Sequence, residues 1–298
     1  MGSPLHITVF RERVIELIAP RGGGLYVDVT LGLGGHTEAI LEASGPDGKV
    51  IGIDRDPSAI ERSRERLAPF GDRVELHRAT ASEVLSVLAG RKVDGLVADL
   101  GVSSPQLDEP ERGMSFRNEG PLDMRMDMES PVTAWSLVRD LRESDLADVI
   151  YQYGEERRSR PIARSIKRAI EAGEMESTRE LASAVYRVLG PPRFGQLDPA
   201  TRTFQALRIA VNDELGELDR LLAAVPDALA DGGVAAIISF HSLEDRKVKH
   251  SFRDCDALEV MTKKPIEPSD DECRENPRAR SAKLRAARRV SRDEEVSA

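Results

Sequence analysis

Four short apolar runs recur at nearly regular intervals in the first third of the chain, and they limit the possible folds more than any other feature. They begin at Leu25, Val50, Val74 and Gly95, so consecutive starts lie 25, 24 and 21 residues apart. Helix-like segments separate them, and the second such segment opens with Asp56-Pro57, a cap residue followed by proline at the first helical position. Strand, helix and strand at this spacing predict an α/β fold with a parallel sheet.

The alternation stops after Asp99, and strong strand patterns are missing for about 130 residues. We predict a long loop over 104–131. Four helices follow it, over 134–151, 158–172, 178–189 and from Asp198 onward. The run Val234–Phe240, after a glycine turn, predicts a fifth strand. The helical block is therefore an insertion, and we predict a discontinuous sheet domain over 1–105 and 199–298 with an inserted helical domain over 106–198.

The turn after the first strand carries glycines that favour contact with a bound ligand. Gly32, Gly34 and Gly35 let the backbone pass close to a ligand, and the following helix offers free N–H groups. The dinucleotide fingerprint G-x-G-x-x-G fails here because its last position is Thr37. Lysine and arginine are missing from the turn, so it has no cation for a pyrophosphate. His36 beside these glycines either contacts the cofactor or is an ordinary exposed helix residue.

Carboxylates end two neighbouring strands at the edge where open sheets bind ligands. Asp54 lies 22 residues after Gly32, where an acid accepts the ribose hydroxyls of an adenosine. Asp99 ends the fourth strand. Together with the turn they favour S-adenosylmethionine, a nucleoside carrying a positive sulfonium, over a nicotinamide cofactor. The alternative is that Asp54 and Asp99 only cap a helix and a loop.

The charge of the chain is unevenly distributed. Residues 157–168 hold six basic groups and no acid, and residues 278–292 hold seven and no acid. Subtracting these 13 positive charges from the net charge of −9 leaves −22 on the other residues. An acidic body with two basic stretches is compatible with a phosphate-binding face, and the alternative is two solvated helix faces.

Several classes of protein are disfavoured by the composition. The longest apolar run, about Val234–Ile238, is far too short for a membrane span. The start Met1–Pro4 does not resemble a secretory signal. Two cysteines, Cys255 and Cys273, make neither a disulfide framework nor a four-ligand zinc set, so we expect a cytoplasmic protein. No His, Cys or Asp set has metal-ligand spacing, so we expect no catalytic metal.

Motifs along the chain resemble those of one protein family in their order and in their residues. They are Gly32-Leu-Gly-Gly-His36, Gly52-Ile-Asp-Arg-Asp-Pro57, Asp99-Leu-Gly-Val-Ser-Ser-Pro-Gln-Leu-Asp108, Pro121-Leu-Asp-Met-Arg-Met-Asp127, Gly154-Glu-Glu-Arg-Arg158, Arg202-Thr-Phe-Gln-Ala-Leu-Arg-Ile209, Ser239-Phe-His-Ser-Leu-Glu-Asp-Arg246 and Arg278-Ala-Arg-Ser-Ala-Lys-Leu-Arg285. From about His6 to Arg289 the chain closely resembles the MraW family of small-subunit ribosomal RNA methyltransferases. The resemblance implies a Rossmann-like class I methyltransferase domain interrupted by a helical substrate-recognition domain.

The resemblance also implies a reaction and a set of cofactor contacts. The reaction is methyl transfer from S-adenosylmethionine to N4 of a cytidine in 16S rRNA of the small ribosomal subunit. The cofactor positions of the family fall on Gly34, Gly35, His36, Asp54, Thr80, Asp99 and Gln106. Thr80 departs from the family pattern, which is often aromatic at this position, and offers a hydroxyl and a methyl group instead of a ring.

The chemistry of N4 methylation assigns further candidates. The exocyclic nitrogen needs alignment with the methyl group and an acceptor for its proton. Asp99 is the first candidate for that acceptor, or it only binds the cofactor. Phe240 is assigned to stacking on the target base. His241 is assigned to a polar contact or proton acceptance, or it makes a structural hydrogen bond. Carbon-5 methylation would need a thiolate, and neither cysteine fits a nucleophile turn.

The two basic stretches are the candidates for gripping the RNA backbone around a flipped base. The candidate RNA-binding residues are Arg157, Arg158, Arg160, Arg164, Lys167, Arg278, Arg280, Lys283 and Arg285. Two alternatives stay open: an enzyme of the same fold acting on a protein or small-molecule amine, and a non-catalytic RNA-binding module. The sequence leaves a monomer or a homodimer equally possible.

Overall fold

A computed structural model describes residues 8–290 and divides the chain into two compact units. The sheet unit comprises Met1–Gly101 and Leu215–Ala298, and the helical unit comprises Val102–Glu214. The expectation about the start Met1–Pro4 lies outside the described residues. Within 8–290, no helix is both long enough and apolar enough to span a membrane.

The strands and helices of the described residues are numbered in chain order. The strands are β1 Leu25–Asp28, β2 Lys49–Asp54, β3 Val74–Arg78, β4 Val93–Asp99, β5 Leu229–Ser239, β6 Leu258–Val260 and β7 Lys283–Arg289. The helices are α1 Arg11–Ile18, α2 Gly35–Ala43, α3 Pro57–Leu67, α4 Val84–Leu88, α5 Ser104–Asp108, α6 Ala134–Asp140, α7 Glu143–Gly154, α8 Ser159–Glu171, α9 Thr178–Leu189, α10 Thr201–Asn212, α11 Glu214–Ala228, α12 Ser242–Asp254 and α13 Asp270–Glu275.

The sheet unit contains one seven-stranded sheet with the order β3-β2-β1-β4-β5-β7-β6. The first five strands are parallel, and β7 runs antiparallel to both β5 and β6. This is a Rossmann-like open α/β sheet, and the five strands predicted from the apolar runs are all confirmed. The last two strands were not predicted. β7 lies inside the second basic stretch, where arginines obscure the apolar pattern.

Both faces of the sheet are buried, as a parallel sheet requires. On one face Val27, Ile51 and Leu96 pack in a core that α4, α11 and α12 help to form. On the other face Tyr26 and Val50 pack with side chains of α1, α2 and α3. Alternation of neighbouring residues between the two cores follows from the two-residue period of a strand. Because β1 to β5 run parallel, their carboxyl ends lie along one edge of the sheet, and this edge positions the candidate site.

The helical unit has its own core, formed by apolar stripes of α6 to α10. Fully buried members include Ile150, Ile162 and Leu181. The predicted helix over 134–151 is two helices, because Leu141 leaves the helical conformation with ψ of 142°. The predicted long helix from Asp198 also divides, at Asp213, whose φ of 48° is left-handed.

The limits of the helical unit differ from the predicted 106–198. The prediction assigned the segment after 198, including the long amphipathic helix, to the sheet domain. In the structure α10 buries Phe204 and Leu207 in the helical core, where it packs against α7. Packing of this one helix therefore extends the compact unit to Glu214.

Candidate cofactor and methyl-transfer site

The turn between β1 and α2 is organised around a buried carboxylate. Asp28, the last residue of β1, is 1% exposed. Its Oδ2 accepts from Thr37 Oγ1 at 2.9 Å, and its Oδ1 accepts from the Thr30 N–H at 3.2 Å. Burial raises the pKa of Asp28 to about 7, against the lowering effect of these bonds. Sequence reasoning did not select Asp28 as a functional residue, although its place at a strand end was a usable signal.

The glycines of this turn are required for different structural reasons. Gly32 and Gly34 have φ of 52° and 77°, in the left-handed region that favours glycine. Gly35 begins α2, where an added Cβ would lie 1.9 Å from Thr8 Oγ1. The backbone at Gly34 and Gly35 therefore follows a path that side chains would obstruct.

Asp54 fastens the glycine turn to the end of β2. Its Oδ2 accepts from the Gly32 N–H at 2.8 Å, and its Oδ1 accepts from the Asp56 N–H at 2.9 Å. Burial is the largest influence on this carboxyl and raises its pKa. Each oxygen retains a second lone pair, so the half-buried carboxylate can still accept two ribose hydroxyls. The cap of α3 is Asp56, which accepts from the Ser58 N–H at 3.0 Å.

Thr80 lies two residues beyond β3 and begins a short turn. The preceding Ala79 N–H donates to the carbonyl of Asp54 at 3.1 Å, so this segment adjoins the end of β2. The Thr80 N–H donates to Glu83 Oε2 at 2.7 Å, and its hydroxyl lies 3.0 Å from Ser82 Oγ. Thr80 is half-buried, and its place beside Asp54 suits a cofactor contact of modest size.

Asp99 ends β4 in a constrained and partly accessible position. Its side chain is 22% exposed, and its Oδ1 accepts from the Gly101 N–H at 3.3 Å. His36 Nε2 lies 3.9 Å from Asp99 Oδ2, and the imidazole is 5% exposed. The alternative in which His36 is an ordinary exposed helix residue is therefore wrong. Burial, with a smaller contribution from the charge of Glu244, raises the pKa of Asp99 to about 6.

The ring of Phe240 lies against the backbone that follows Asp99. A Cβ added to Gly101 would lie 2.7 Å from Phe240 Cε2, so the glycine makes room for the ring. Phe240 is half-buried, with part of the ring packed on the sheet core. Backbone pairing of β4 with β5 brings the two segments together, since Asp99 is in register with Ile238.

His241 begins α12 and has a structural use. Its Nδ1 accepts from the Glu244 N–H at 3.4 Å, and the Glu244 carboxylate accepts from the N–H groups of Phe240 and His241 at 2.8 and 3.3 Å. This is a capping box in which histidine replaces serine. Glu244, 3% exposed, was not selected from the sequence, where a capping box with histidine is hard to detect.

The structure brings some predicted cofactor residues together and leaves one in the other unit. The glycine turn, Asp54, Thr80 and Asp99 all lie at the carboxyl ends of the parallel strands in the sheet unit. Gln106 lies on α5 in the helical unit, where its Oε1 accepts from the Ser103 N–H at 3.1 Å. Its cofactor role therefore stays a prediction.

The first basic stretch is the exposed face of α8 and the residues just before it. Arg157, Arg158, Arg160 and Arg164 are exposed, while the apolar residues of the same segment are buried. Arg164 also pairs with Glu143, with 3.3 Å between its Nε and the carboxylate.

Lys167, the last candidate of this stretch, is partly committed to the fold. Its Nζ donates to the carbonyls of Val138 and Arg139 at 2.7 and 3.0 Å. Burial is the largest influence on this ammonium and lowers its pKa. The side chain therefore satisfies the carbonyls at the end of α6, which leaves less of its hydrogen-bonding capacity for phosphates.

The second basic stretch is divided by its strand. Arg278 and Arg280 are exposed ahead of β7, and Lys283 is half-buried at its first residue. Arg285 is 5% exposed, and its Nε donates to Asp245 Oδ1 at 2.6 Å. A guanidinium enclosed in the sheet and already paired is not available to RNA phosphates, so we correct the assignment of Arg285 to the RNA-binding set.

The two thiols belong to the sheet unit. Cys255 follows the last residue of α12, and Cys273 lies within α13. Both are free and half-buried. Their positions give no support to a nucleophilic role in methyl transfer.

Comparison with known proteins identifies the family. The model of the MraW methylase family matches residues 3–290. The chain belongs to the MraW methylase family. The ribosomal RNA small subunit methyltransferase H of Sorangium cellulosum is 57% identical over 288 residues, which cover 96% of this chain and 91% of that protein. The protein of the same name from Synechococcus elongatus is 51% identical over 286 residues, covering 96% and 95%.

S-adenosylmethionine is the cofactor of this MraW-family methylase, and the residues at the strand ends fit it. Asp54 provides a carboxylate with spare acceptor capacity for a ribose. Gly32 and Gly34 adopt the left-handed backbone conformation that this turn requires. The role of the partly accessible Asp99 carboxylate toward the cofactor stays a prediction. The assignment to the MraW methylase family excludes the nicotinamide alternative.

Proposed function

We propose that this protein methylates N4 of a cytidine in small-subunit ribosomal RNA. The observation that carries the proposal is the grouping of Asp99 with Phe240 at the ends of β4 and β5. The Asp99 carboxylate, whose pKa is raised, accepts from the Gly101 N–H, and the Phe240 ring packs against the same glycine. The names of the related methyltransferases support ribosomal RNA of the small subunit as the substrate class.

Attack by N4 needs help because its lone pair is delocalised into the cytosine ring. S-adenosylmethionine supplies an activated methyl group on a positive sulfur. The protein must align the amine, exclude water and receive the proton that N4 loses. Asp99 serves as that acceptor, since a pKa of about 6 leaves it ionised at neutral pH and basic enough to take a proton.

The remaining site residues position these groups. Phe240 offers a ring face on which the planar target base can stack. His36, 3.9 Å from Asp99, adds a buried imidazole beside the carboxylate. His241 and Glu244 hold the backbone of Phe240 through the capping box. In this proposal His241 is a positioning residue.

Exposed arginines of the first stretch contact the RNA backbone in this proposal. Arg157, Arg158 and Arg160 are exposed, and guanidinium groups bind phosphate oxygens with good geometry. From the second stretch, Arg278 and Arg280 have the same exposure. Lys167 contributes less because its ammonium already holds two carbonyls.

The test is to identify the methylated nucleoside. The protein is incubated with labelled S-adenosylmethionine and small ribosomal subunits that lack the modification, and the RNA is then digested and separated. We expect label in N4-methylcytidine. Asp99→Asn serves as the matched variant, which keeps the size of the side chain and removes the proton acceptor.

Each other result points to a different conclusion. Label in 5-methylcytidine or methyladenosine contradicts attack by N4 and leaves the cofactor assignment intact. Failure to label RNA, by protein that binds S-adenosylmethionine in calorimetry, contradicts the RNA substrate and favours a protein or small-molecule amine.

A further inference from the structure

One end of the helical unit collects exposed aromatic and basic side chains. Four helix termini meet there. α7 ends at Gly154 and α8 begins at Ser159, a few residues later. α10 begins beside the end of α7, since Arg202 Nη1 donates to the carbonyl of Glu155 at 3.3 Å. The loop from Gly190 to Ala200 connects α9 to α10 and therefore lies at this same end.

Close packing fixes this arrangement. A Cβ added to Gly154 would lie 2.5 Å from the carbonyl oxygen of Arg202, so α7 and α10 approach closely at this point. Gln205 Nε2 donates to the carbonyl of Tyr153 at 3.0 Å. The base of the loop is held where the hydroxyl of Tyr186 donates to the Asp198 carboxylate at 3.0 Å.

The loop presents apolar side chains that the fold does not use. Phe194 is 108% exposed and Leu197 is 67% exposed, and both are flanked by polar or flexible residues. Tyr151, 58% exposed, lies one turn before the end of α7. These three exposed side chains leave apolar surface available for contact with another molecule.

Arginines surround these rings. Arg193 precedes Phe194 and is exposed, and Arg157 and Arg158 lie between α7 and α8. Among the acids at this end, Asp198 is held by Tyr186, and Glu156 is 9% exposed and accepts from the Arg158 N–H at 2.8 Å. Glu155 is exposed. The exposed charge of this end is therefore mainly positive. We call it the aromatic–arginine end, defined by Tyr151, Arg157, Arg158, Arg193, Phe194 and Arg202.

We propose that the aromatic–arginine end binds single-stranded RNA, with Phe194 stacking on an unpaired base and the arginines contacting phosphates. Exposed rings interleaved with cations are the chemistry that single-stranded nucleic acid recognition uses. This proposal rests on the proposed function in taking ribosomal RNA as the physiological strand. It adds Tyr151, Arg193, Phe194 and Arg202 to the residues expected to contact RNA.

The test compares three substitutions of one ring. Phe194→Ala removes the side chain, Phe194→Leu keeps an apolar group without a π face, and Phe194→Trp keeps a stacking surface. We measure KM and kcat with unmodified small subunits, and the binding of a fluorescein-labelled single-stranded oligoribonucleotide by anisotropy. Leu85→Ala, an exposed apolar residue of α4 in the sheet unit (41% exposed), is the matched control.

We expect the alanine and leucine variants to raise KM and weaken oligonucleotide binding by about tenfold, within the range for one stacked base. Phe194→Trp keeps wild-type values, and all variants keep kcat and the dissociation constant for S-adenosylmethionine. Wild-type KM and wild-type oligonucleotide binding in the alanine variant overturn the proposal. Wild-type values for Phe194→Leu overturn it too, because leucine has no π face on which a base can stack.

The two proposals fail separately. If the wild-type protein labels no RNA, the proposed function falls. Loss of oligonucleotide binding in Phe194→Ala, with recovery in Phe194→Trp, then still supports the RNA surface. If the wild-type protein labels RNA and the three variants match it in KM and in binding, only the surface is overturned.

Discussion

At the scale of single residues, burial sets the chemistry of the candidate site. Asp28 and Asp99 are carboxylates at strand ends, and both have raised pKa values because the surroundings exclude water. They differ in their hydrogen bonds: Asp28 is enclosed by Thr30 and Thr37, whereas Asp99 is more accessible and accepts from Gly101 at 3.3 Å. The enclosed acid supports the turn, and the accessible acid is available to a substrate.

Asp99 predicts a pH profile for methyl transfer. The carboxyl accepts a proton only when ionised, so activity falls as the pH drops through about 6, the pKa of Asp99, and levels off above it. Asp99→Asn is expected to lower kcat by about 10²- to 10⁴-fold and to remove this acidic limb. Stopped assays from pH 5 to 9 measure both. Weaker S-adenosylmethionine binding with an unchanged kcat shows instead that Asp99 only holds the cofactor.

The contact between Gly101 and the Phe240 ring predicts that a substitution of Gly101 lowers methyl transfer. Gly101→Ala displaces Phe240, because the added Cβ lies 2.7 Å from the ring. We expect kcat/KM for small subunits to fall by about 10- to 100-fold, the loss typical of a misplaced reactant, with cofactor binding unchanged. In a Phe240→Ala background the same substitution has no further effect, since no ring remains to displace. Additive losses in the double variant contradict this coupling.

At the scale of elements, α12 connects the site to the sheet. Its first residues hold the backbone of Phe240 through Glu244, and Asp245 pairs with Arg285 of β7. Farther along, Lys247 pairs with Asp219 of α11 at 2.6 Å. One helix is thereby joined to β7 and α11, which restricts movement of the segment that carries Phe240.

The N-cap of α12 predicts how His241 tolerates substitution. His241→Ala removes the acceptor for the Glu244 N–H and is expected to reduce the free energy of unfolding by about 1 kcal/mol. His241→Asn restores an N-cap acceptor, so stability and methyl transfer return close to wild type. Urea unfolding and the labelling assay measure the two effects. Restored stability without restored activity shows that His241 contacts the substrate.

The buried ion pair between α12 and β7 predicts a larger loss of stability. Asp245→Asn leaves the 5%-exposed guanidinium of Arg285 without its counter-charge and is expected to destabilise the protein by about 3 kcal/mol. Lys283→Ala is the control, since its half-buried ammonium lies 3.6 Å from Asp245 and the expected loss is below about 1 kcal/mol. Similar urea midpoints for the two variants contradict this ranking.

At the scale of the whole molecule, charge distribution governs the encounter with RNA that the proposed function requires. The chain carries −9 overall, yet exposed arginines concentrate before and along α8. Local positive charge of this kind attracts phosphate even when the net charge is negative. The affinity for RNA is then strongly dependent on salt, because each neutralised phosphate releases a condensed counterion.

Two arginines of α8 therefore predict a change in salt dependence. Arg160 and Arg164 are one helical turn apart on the exposed face. Replacing both by alanine is expected to reduce the slope of log affinity against log salt by about 0.7 for each single-strand phosphate that is no longer neutralised. Arg139→Ala is the control, because Arg139 is a similarly exposed arginine of α6 that lies outside both basic stretches. An unchanged slope in the double variant shows that these two side chains do not bind the RNA backbone.

The sequence by itself determined the elements whose patterns are local. Five parallel strands and the cap of α3 at Asp56 could be predicted because each depends on neighbouring residues. The motifs also sufficed to select the family and the acids at the strand ends. The MraW methylase assignment confirms the family, while the roles of the site residues remain predictions.

Tertiary structure decided what depends on residues far apart in the chain. β7 was hidden because its arginines resemble a surface segment, and only pairing with β5 and Asp245 buries Arg285. Likewise, the space for the Phe240 ring depends on Gly101, 139 residues earlier, through the register of two strands. Burial and hydrogen bonding are properties of the packed chain, so the pKa of Asp99 and the availability of each arginine follow from the fold and not from the local sequence.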